Sequence, residues 1–245
     1  MHRGPSLTLE VEAHSSAVLC IAGAKNGSMV VTGGRDKDVR TWDLGRKACT
    51  GRLEGHENAV LCVAITPDGW RIASGGDSKK GDINGVMKLW ELTGDRYQCL
   101  YTYKTHEKEV RAVALTKDGF MVASGSKDGS VHVFEVGQGG TRKPAAVTDT
   151  PHRGAVRGLD FHPDRDWLVS VSEDGTTRVY NTYTGQTLHV LRGAQDIRGG
   201  YLSSVMWAPS GEVGALILLP WFQCNVRDGS ETARCPPGTH HHRVR

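Results

Sequence analysis

The sequence is poor in aromatic residues, in charge of one sign and in long apolar runs, and each shortage excludes a class of protein. Aromatics make up 7% of the 245 residues, and 30 Lys and Arg against 27 Asp and Glu leave a net charge of +3. Segment 224–245 holds Arg227, Arg234, Arg243 and Arg245 against Asp228 and Glu231, a net of +2, so the rest of the chain carries +1. A body this near neutral lacks the broad basic field of a nucleic-acid or membrane-surface binder. The longest apolar run, Gly214 to Phe222, is nine residues and contains Pro220, whereas a membrane helix needs roughly twenty. The start, Met1-His2-Arg3-Gly4-Pro5, lacks the apolar stretch of a signal peptide. The expectation is a soluble intracellular protein, cytoplasmic or nuclear. None of the six cysteines forms a CxxC pair, so spacing gives no zinc framework, and no cofactor is expected.

Glycine is abundant, at 31 residues, which with few aromatics suits many tight turns between short strands. The histidines His14, His56, His106 and His152 stand 42, 50 and 46 residues apart. Four residues after each comes a valine, Val18, Val60, Val110 or Val156. Eight further on comes a turn: Asn26-Gly27, Asp68-Gly69, Asp118-Gly119 or Asp164-Arg165. Eighteen after each histidine lies a hydroxyl, Thr32, Ser74, Ser124 or Ser170. Asp36, Asp128 and Asp174 follow four later, and six beyond each lies an aromatic, Trp42, Phe134 or Tyr180. In repeat two Asn84 stands six before Trp90, after a six-residue insertion. Alternation at Val60 to Ile65 and Val110 to Leu115, followed by a two-residue turn, predicts strands joined as hairpins. Third strands end at the aromatic. Outer fourth strands run through Ala48 to Leu53, Gln98 to Tyr103 and Thr187 to Leu191. Four antiparallel strands per repeat make a propeller blade. Asn26-Gly27-Ser28 reads as a turn, and Cys20 and Cys62, at one repeat position, as small core residues.

Gly55-His56 and Trp42-Asp43 match the two signature dipeptides of the WD40 repeat family, and Trp90-Glu91, Phe134-Glu135 and Tyr180-Asn181 are weaker versions of the second. From residue 6 to about residue 211 the chain resembles that family. The fold expected is all-β, a WD40-type β-propeller of four full blades and a partial fifth, open or truncated. The propeller spans 1–212, with blades near 14–54, 56–104, 106–149 and 152–192 and a partial blade at 198–219. Residues 6 to 12 alternate as an extra strand, 136 to 146 read as a flexible basic connector, and 223–245 read as a divergent, disordered tail. The tail's His240, His241 and His242 with Cys224 and Cys235 read as disorder rather than a metal site. Repeat five keeps Pro209-Ser210-Gly211 but has Arg198 at its histidine position, and no Ser-Gly-x-x-Asp turn follows Glu212. A fragment or variant of a longer propeller is the favoured reading; completion by another chain and a small distorted ring are the alternatives.

The His–Ser–Asp sets suggest a hydrolase triad on paper. Such a triad needs an exposed hydroxyl and an oxyanion hole, and the sequence has no Gly-x-Ser-x-Gly elbow. The set also recurs at one spacing, where an enzyme needs a single site. Satisfying buried polar groups in every blade explains the recurrence, so no catalytic residue is assigned. The resemblance implies a buried hydrogen-bonded chain in each blade. These chains are His14, Thr32, Asp36 and Trp42; His56, Ser74, Asn84 and Trp90; His106, Ser124, Asp128 and Phe134; and His152, Ser170, Asp174 and Tyr180. Phe134 has no N–H for Ser124, so blade three is expected to have the weakest network and blade one the firmest.

The loop before strand one and the turn between strands two and three lie at one end of a blade. Arg35, Lys127 and Glu173, with Glu109 and the insertion's Lys79 and Lys80, therefore form the candidate partner face, since loops on a rigid scaffold carry function. The resemblance implies a non-catalytic scaffold that binds proteins or peptides within a larger complex. A subunit of an RNA-processing or chromatin complex would need Arg35, Arg40, Lys79, Lys80 and Lys127 in one patch. A truncated product without function of its own is the third reading.

Overall fold

The structure, a computed structural model, describes residues 14–77, 85–137, 142–192, 202–207, 213–217 and 223–226. All regular structure among them is strand. Blade one comprises β1 (Val18–Gly23), β2 (Met29–Gly34), β3 (Val39–Asp43) and β4 (Ala48–Leu53). Blade two comprises β5 (Val60–Ile65), β6 (Arg71–Gly76), β7 (Gly85–Thr93) and β8 (Arg96–His106). Blade three comprises β9 (Val110–Leu115), β10 (Met121–Ser126), β11 (Val131–Val136) and β12 (Arg142–Val147). Blade four comprises β13 (Val156–Phe161), β14 (Trp167–Ser172), β15 (Thr176–Asn181) and β16 (Thr187–Arg192). A fifth, three-stranded sheet holds β17 (Leu202–Trp207), β18 (Val213–Ile217) and β19 (Gln223–Val226). Each sheet is an antiparallel meander in chain order. The expected strand at 6 to 12 lies outside the described residues, as do most of the expected tail and its histidines. Strand β19 falls within the segment read as tail.

Turn chemistry explains the hairpins. In blades two and three a threonine hydroxyl donates to the turn aspartate, Thr66 to Asp68 and Thr116 to Asp118, both at 2.6 Å. Gly27, Gly69 and Gly119 take the left-handed slot, with φ of 69°, 79° and 71°, which other residues adopt only under strain. Blade four has Arg165 there, and the solution changes. His162 replaces the threonine, and its Nδ1 accepts from the backbone N–H of both Asp164 and Arg165 at 3.0 Å. Segment 136–146 departs from the connector reading, because Arg142–Val147 pairs with β11 as an outer strand. Pro144 obscures that strand in the sequence, yet an outermost strand tolerates a residue without an N–H.

Neighbouring blades meet through their first strands, β1 beside β5, β5 beside β9, β9 beside β13 and β13 beside β17. The cores lie between blades. Val31, Val39 and Leu53 of blade one join Val60, Ile72 and Trp90 of blade two, and the next two pairs of blades repeat the pattern. The contact repeats in detail. Val60, Val110 and Val156 are fully buried, each seated on a glycine of the preceding blade. A β-carbon on Gly33, Gly75 or Gly125 would lie 2.5–2.6 Å from the Cγ1 of Val60, Val110 or Val156. Cys20 and Cys62 occupy the same interfaces, with Cys20 half-buried and Cys62 buried. Burial raises the Cys20 thiol to about 12.

Candidate functional site

One side-chain chain runs through each blade. In blade one the Trp42 indole donates to Thr32 Oγ1 at 2.9 Å, and Thr32 lies 2.8 Å from His14 Nε2. His14 Nδ1 lies 2.7 Å from Asp36 Oδ1, and the Ser15 amide donates to the other oxygen at 3.0 Å. With the proton on Nδ1 every donor points one way, so the bonds reinforce each other. Burial pushes the Asp36 carboxyl up, but the bonds from His14 and the Ser15 and Asp38 amides outweigh it and hold it low. Replacing Thr32 by valine strands both the indole N–H and His14 Nε2. The expected loss of stability is about 2–4 kcal/mol, from roughly 1–3 kcal/mol per orphaned group. Urea unfolding of the variant measures it.

The other blades solve the same problem with different parts. In blade two Trp90 donates to Ser74 at 2.8 Å and Ser74 meets His56 Nε2 at 2.7 Å. Asn84 lies outside the described residues, and His56 Nδ1 is buried without a partner among those described. Burial, with the nearby Lys88 charge, lowers His56 to about 3. In blade three Ser124 meets His106 Nε2 at 2.7 Å. Phe134 supplies no donor, and Ser130, a residue the repeat reading missed, stands between His106 and Asp128. It lies 2.7 Å from His106 Nδ1 and donates to Asp128. His132 stacks on His106 with ring centres 4.3 Å apart. Asp128 is held well below the usual carboxylate range, since bonds from His106 and Ser130 overcome its burial. In blade four His152 joins Ser170 at 2.7 Å and Asp174 at 3.0 Å, while Tyr180 reaches Ser170 only at 3.5 Å. Among the described residues, the network nitrogen without a partner is His56 Nδ1 in blade two. Ser74, Ser124 and Ser170 are all fully buried, so these hydroxyls face hydrogen-bond partners and not solvent.

These networks brace one rim. Four equivalent backbone bonds tie the turn after strand two to the residue before strand one. They run Arg35 to Ala17 at 2.8 Å, Asp77 to Ala59 at 3.3 Å, Lys127 to Glu109 at 3.0 Å and Glu173 to Ala155 at 3.0 Å. The structure thus brings Arg35, Glu109, Lys127 and Glu173 to the same end of adjacent blades. Lys79 and Lys80 lie outside the described residues. The rim is paired within itself. Lys127 Nζ sits 3.3 Å and Arg111 3.7 Å from Glu109 Oε1, and the Arg157 Nε donates to Glu173 at 2.7 Å. Glu109 is raised by burial, but bonds from its own backbone and from Lys127 hold it below its ordinary value.

The opposite ends of the first strands frame a feature that repeat arithmetic did not show. A cavity of about 300 Å³ is lined by Lys25, Lys117, Asp160, His162 and Trp207 among others. The Asp160 carboxylate accepts the Trp207 backbone N–H at 2.7 Å. Burial nevertheless raises its carboxyl, against that bond and the charge of Lys25. The repeat places small residues, Ala22, Ala64 and Ala114, at the equivalent positions, so the charge at Asp160 is a property of blade four alone.

Four-stranded antiparallel sheets, joined side by side through their first strands and each tied by a histidine–hydroxyl network, define a repeat-built β-propeller arc. The chain belongs to the WD40 family. The WD domain, G-beta repeat, matches residues 5–43, 47–91, 97–135 and 145–181, together more than half of the chain. Over 61 residues the chain is 33% identical to a guanine nucleotide-binding protein subunit beta of Oryza sativa subsp. indica, covering 25% of this chain and 15% of that one. Over 86 residues it is 30% identical to nuclear distribution protein nudF 2 of Aspergillus clavatus, covering 35% and 18%. Over 67 residues it is 33% identical to ribosome biogenesis protein ERB1 of Candida glabrata, covering 26% and 8%. The matched stretches thus span less than a fifth of the length of these relatives.

Proposed function

We propose that the chain is a non-catalytic scaffold that binds other proteins or peptides through its loop rim, as part of a larger assembly in the cytoplasm or nucleus. The observation that carries this reading is the repeated backbone bond that fixes Arg35, Lys127 and Glu173 on one rigid edge. Burial of the three serine hydroxyls supports a binding role over a hydrolytic one. Likeness to proteins named as a G-protein subunit and a ribosome biogenesis factor supports membership of an assembly. The rim alternates in sign, with Lys127 and Arg111 on Glu109 and Arg157 on Glu173. Such a rim complements a polypeptide of mixed charge better than a polyanion, whose binding needs several unpaired cations.

The test is recovery of the tagged chain from cells, as wild type and as the double variant Arg35→Glu, Lys127→Glu. Because Arg35 is exposed and the Lys127 side chain is 48% exposed, the variant is expected to melt with the wild type while losing co-purifying proteins. An unchanged set of partners would contradict the rim assignment. Oligonucleotide binding that falls steeply with salt would favour the nucleic-acid reading.

A further inference from the structure

Two Thr-Pro pairs occur in the sequence, Thr66-Pro67 and Thr150-Pro151, and no Ser-Pro. The fold treats them differently. Thr66 is buried, and its hydroxyl donates to Asp68 at 2.6 Å inside a hairpin turn. Thr150 is exposed, in the loop between β12 and β13. A residue before proline favours an extended backbone. Proline-directed protein kinases take an exposed threonine in extended chain when the next residue is proline, which has no N–H. Facing this hydroxyl is a cation. Arg178 of β15 donates from Nη1 to the Thr150 hydroxyl at 2.8 Å and to the Thr150 carbonyl at 2.9 Å.

Arg178 lacks the anion that its counterpart has. Four residues after the network aspartate, blade one carries Arg40 and blade four Arg178. Arg40 Nη2 lies 3.7 Å from Asp36 and 3.5 Å from Asp38. Blade four has Thr176 at the position of Asp38, and Arg178 forms no ion pair among the described residues. Its Nε is buried without a partner among them. Donor capacity is thus left over beside a hydroxyl that can be turned into an anion. That hydroxyl also lies 2.7 Å from Thr187 Oγ1 and donates to Asp149 at 3.3 Å. The Asp149 carboxylate is already taken up by Thr187, whose hydroxyl and amide donate to it at 2.6 and 3.1 Å. A phosphate on Thr150 exchanges the long bond to Asp149 for repulsion and gains a charge-assisted pair with Arg178. The pair outweighs the repulsion, because guanidinium and phosphate match in both shape and charge. We infer that Thr150 is a phosphorylation site for a proline-directed protein kinase, and that Arg178 receives the phosphate and ties the loop between blades three and four to β15. In the transfer the Thr150 oxygen attacks the γ-phosphorus of ATP held by the kinase. The new O–P bond forms as the bond to the β-phosphate oxygen breaks. ADP leaves with that electron pair, and the hydroxyl proton passes to the kinase's catalytic base.

Incubating the purified full chain with MgATP and a cyclin-dependent kinase tests the site. Peptide mapping by mass spectrometry is expected to place one phosphate on Thr150 and none on Thr66, and Thr150→Ala is expected to take up none. Phosphorus NMR then follows the second ionisation of that phosphate, ordinarily near pH 6. A guanidinium favours the doubly charged form and lowers the midpoint, while Asp149 acts the other way. The midpoint is expected to lie about half a pH unit lower in the phosphorylated wild type than in phosphorylated Arg178→Gln. It is also expected to lie lower in the folded wild type than in the same protein unfolded in urea. No phosphate on Thr150, phosphate on Thr66 instead, or equal midpoints with and without Arg178 would each overturn the inference. If Arg178→Gln does not fold, the comparison with the urea-unfolded wild type decides alone, and an unchanged midpoint there is the contrary result.

Discussion

Replacing Arg71 by alanine is expected to lower stability by about 3 kcal/mol, the low end of the cost of removing one partner of a buried ion pair, because the Glu91 left behind keeps part of its solvent. For a chain of this size that loss corresponds to a melting point lower by roughly 6 °C or more. The Arg71 side chain is 4% exposed and does three things at once. Its Nε and Nη2 donate to Glu91 Oε2 at 2.9 and 2.6 Å within blade two. Nη1 donates across the blade boundary to the Gly119 carbonyl at 2.7 Å. The guanidinium also lies 4.0 Å from the centre of the Trp70 ring. Alanine leaves Glu91 unpaired and the Gly119 carbonyl without its donor, and it opens a gap beside Trp70. Lysine, a point charge without the planar fork, is expected to recover only part of the loss. Thermal unfolding of the two variants decides it. A change within about 0.5 kcal/mol for alanine, the range of an ordinary surface substitution, would show that the clasp does not couple blades two and three.

Acidification from pH 6.5 to 5 is expected to remove about 2–4 kcal/mol of stability, at roughly 1.4 kcal/mol per pH unit for each histidine kept neutral by the fold. His56, with an ordinary value of 6.5, titrates at about 3 in the folded chain because burial disfavours its charge, with Lys88 adding repulsion. His132 titrates at about 4, by burial and the neighbouring His106. For a histidine with a depressed folded value, the unfolded chain binds the proton first. Its contribution is therefore complete above 6.5 and falls as the pH drops toward the folded value. The aspartates act lower. Asp174, held at about 2 by Thr176 and the Arg153 amide against its burial, loses its contribution only below the ordinary carboxylate value. Urea titrations at pH 7.5, 6 and 5 are expected to show the decline, and His56→Asn to remove about half of its slope. A pH-independent wild type over that window would mean that the two rings are solvated.

What the sequence disclosed follows from which contacts repeat. The histidine-to-hydroxyl spacing of eighteen was legible because each blade buries the same polar chain at the same register. Parts that belong to one blade left no repeat signal. Arg71 stands where the other repeats have Met29, Met121 and Trp167, so the clasp to Gly119 could not be inferred from spacing. Ser130 and His132 lie beside the repeat positions read from the sequence, and only folding shows that Ser130 links His106 to Asp128 while His132 stacks on His106. Strand β12 was hidden by Pro144 in a basic stretch. The rim was legible as a set of loops, but its internal ion pairs were not, because they depend on which strands lie side by side.

Hydrogen exchange along the purified chain tests the central claim, a series of blades that bury their first strands against one another and leave the first face open. Peptides from β5, β9 and β13 are expected to exchange slowest and together, as one cooperative unit. Peptides from β1, whose Val18 and Ile21 are exposed, are expected to exchange faster than their counterparts. Rapid exchange throughout 56–181, or protection of β1 equal to that of β9, would contradict it.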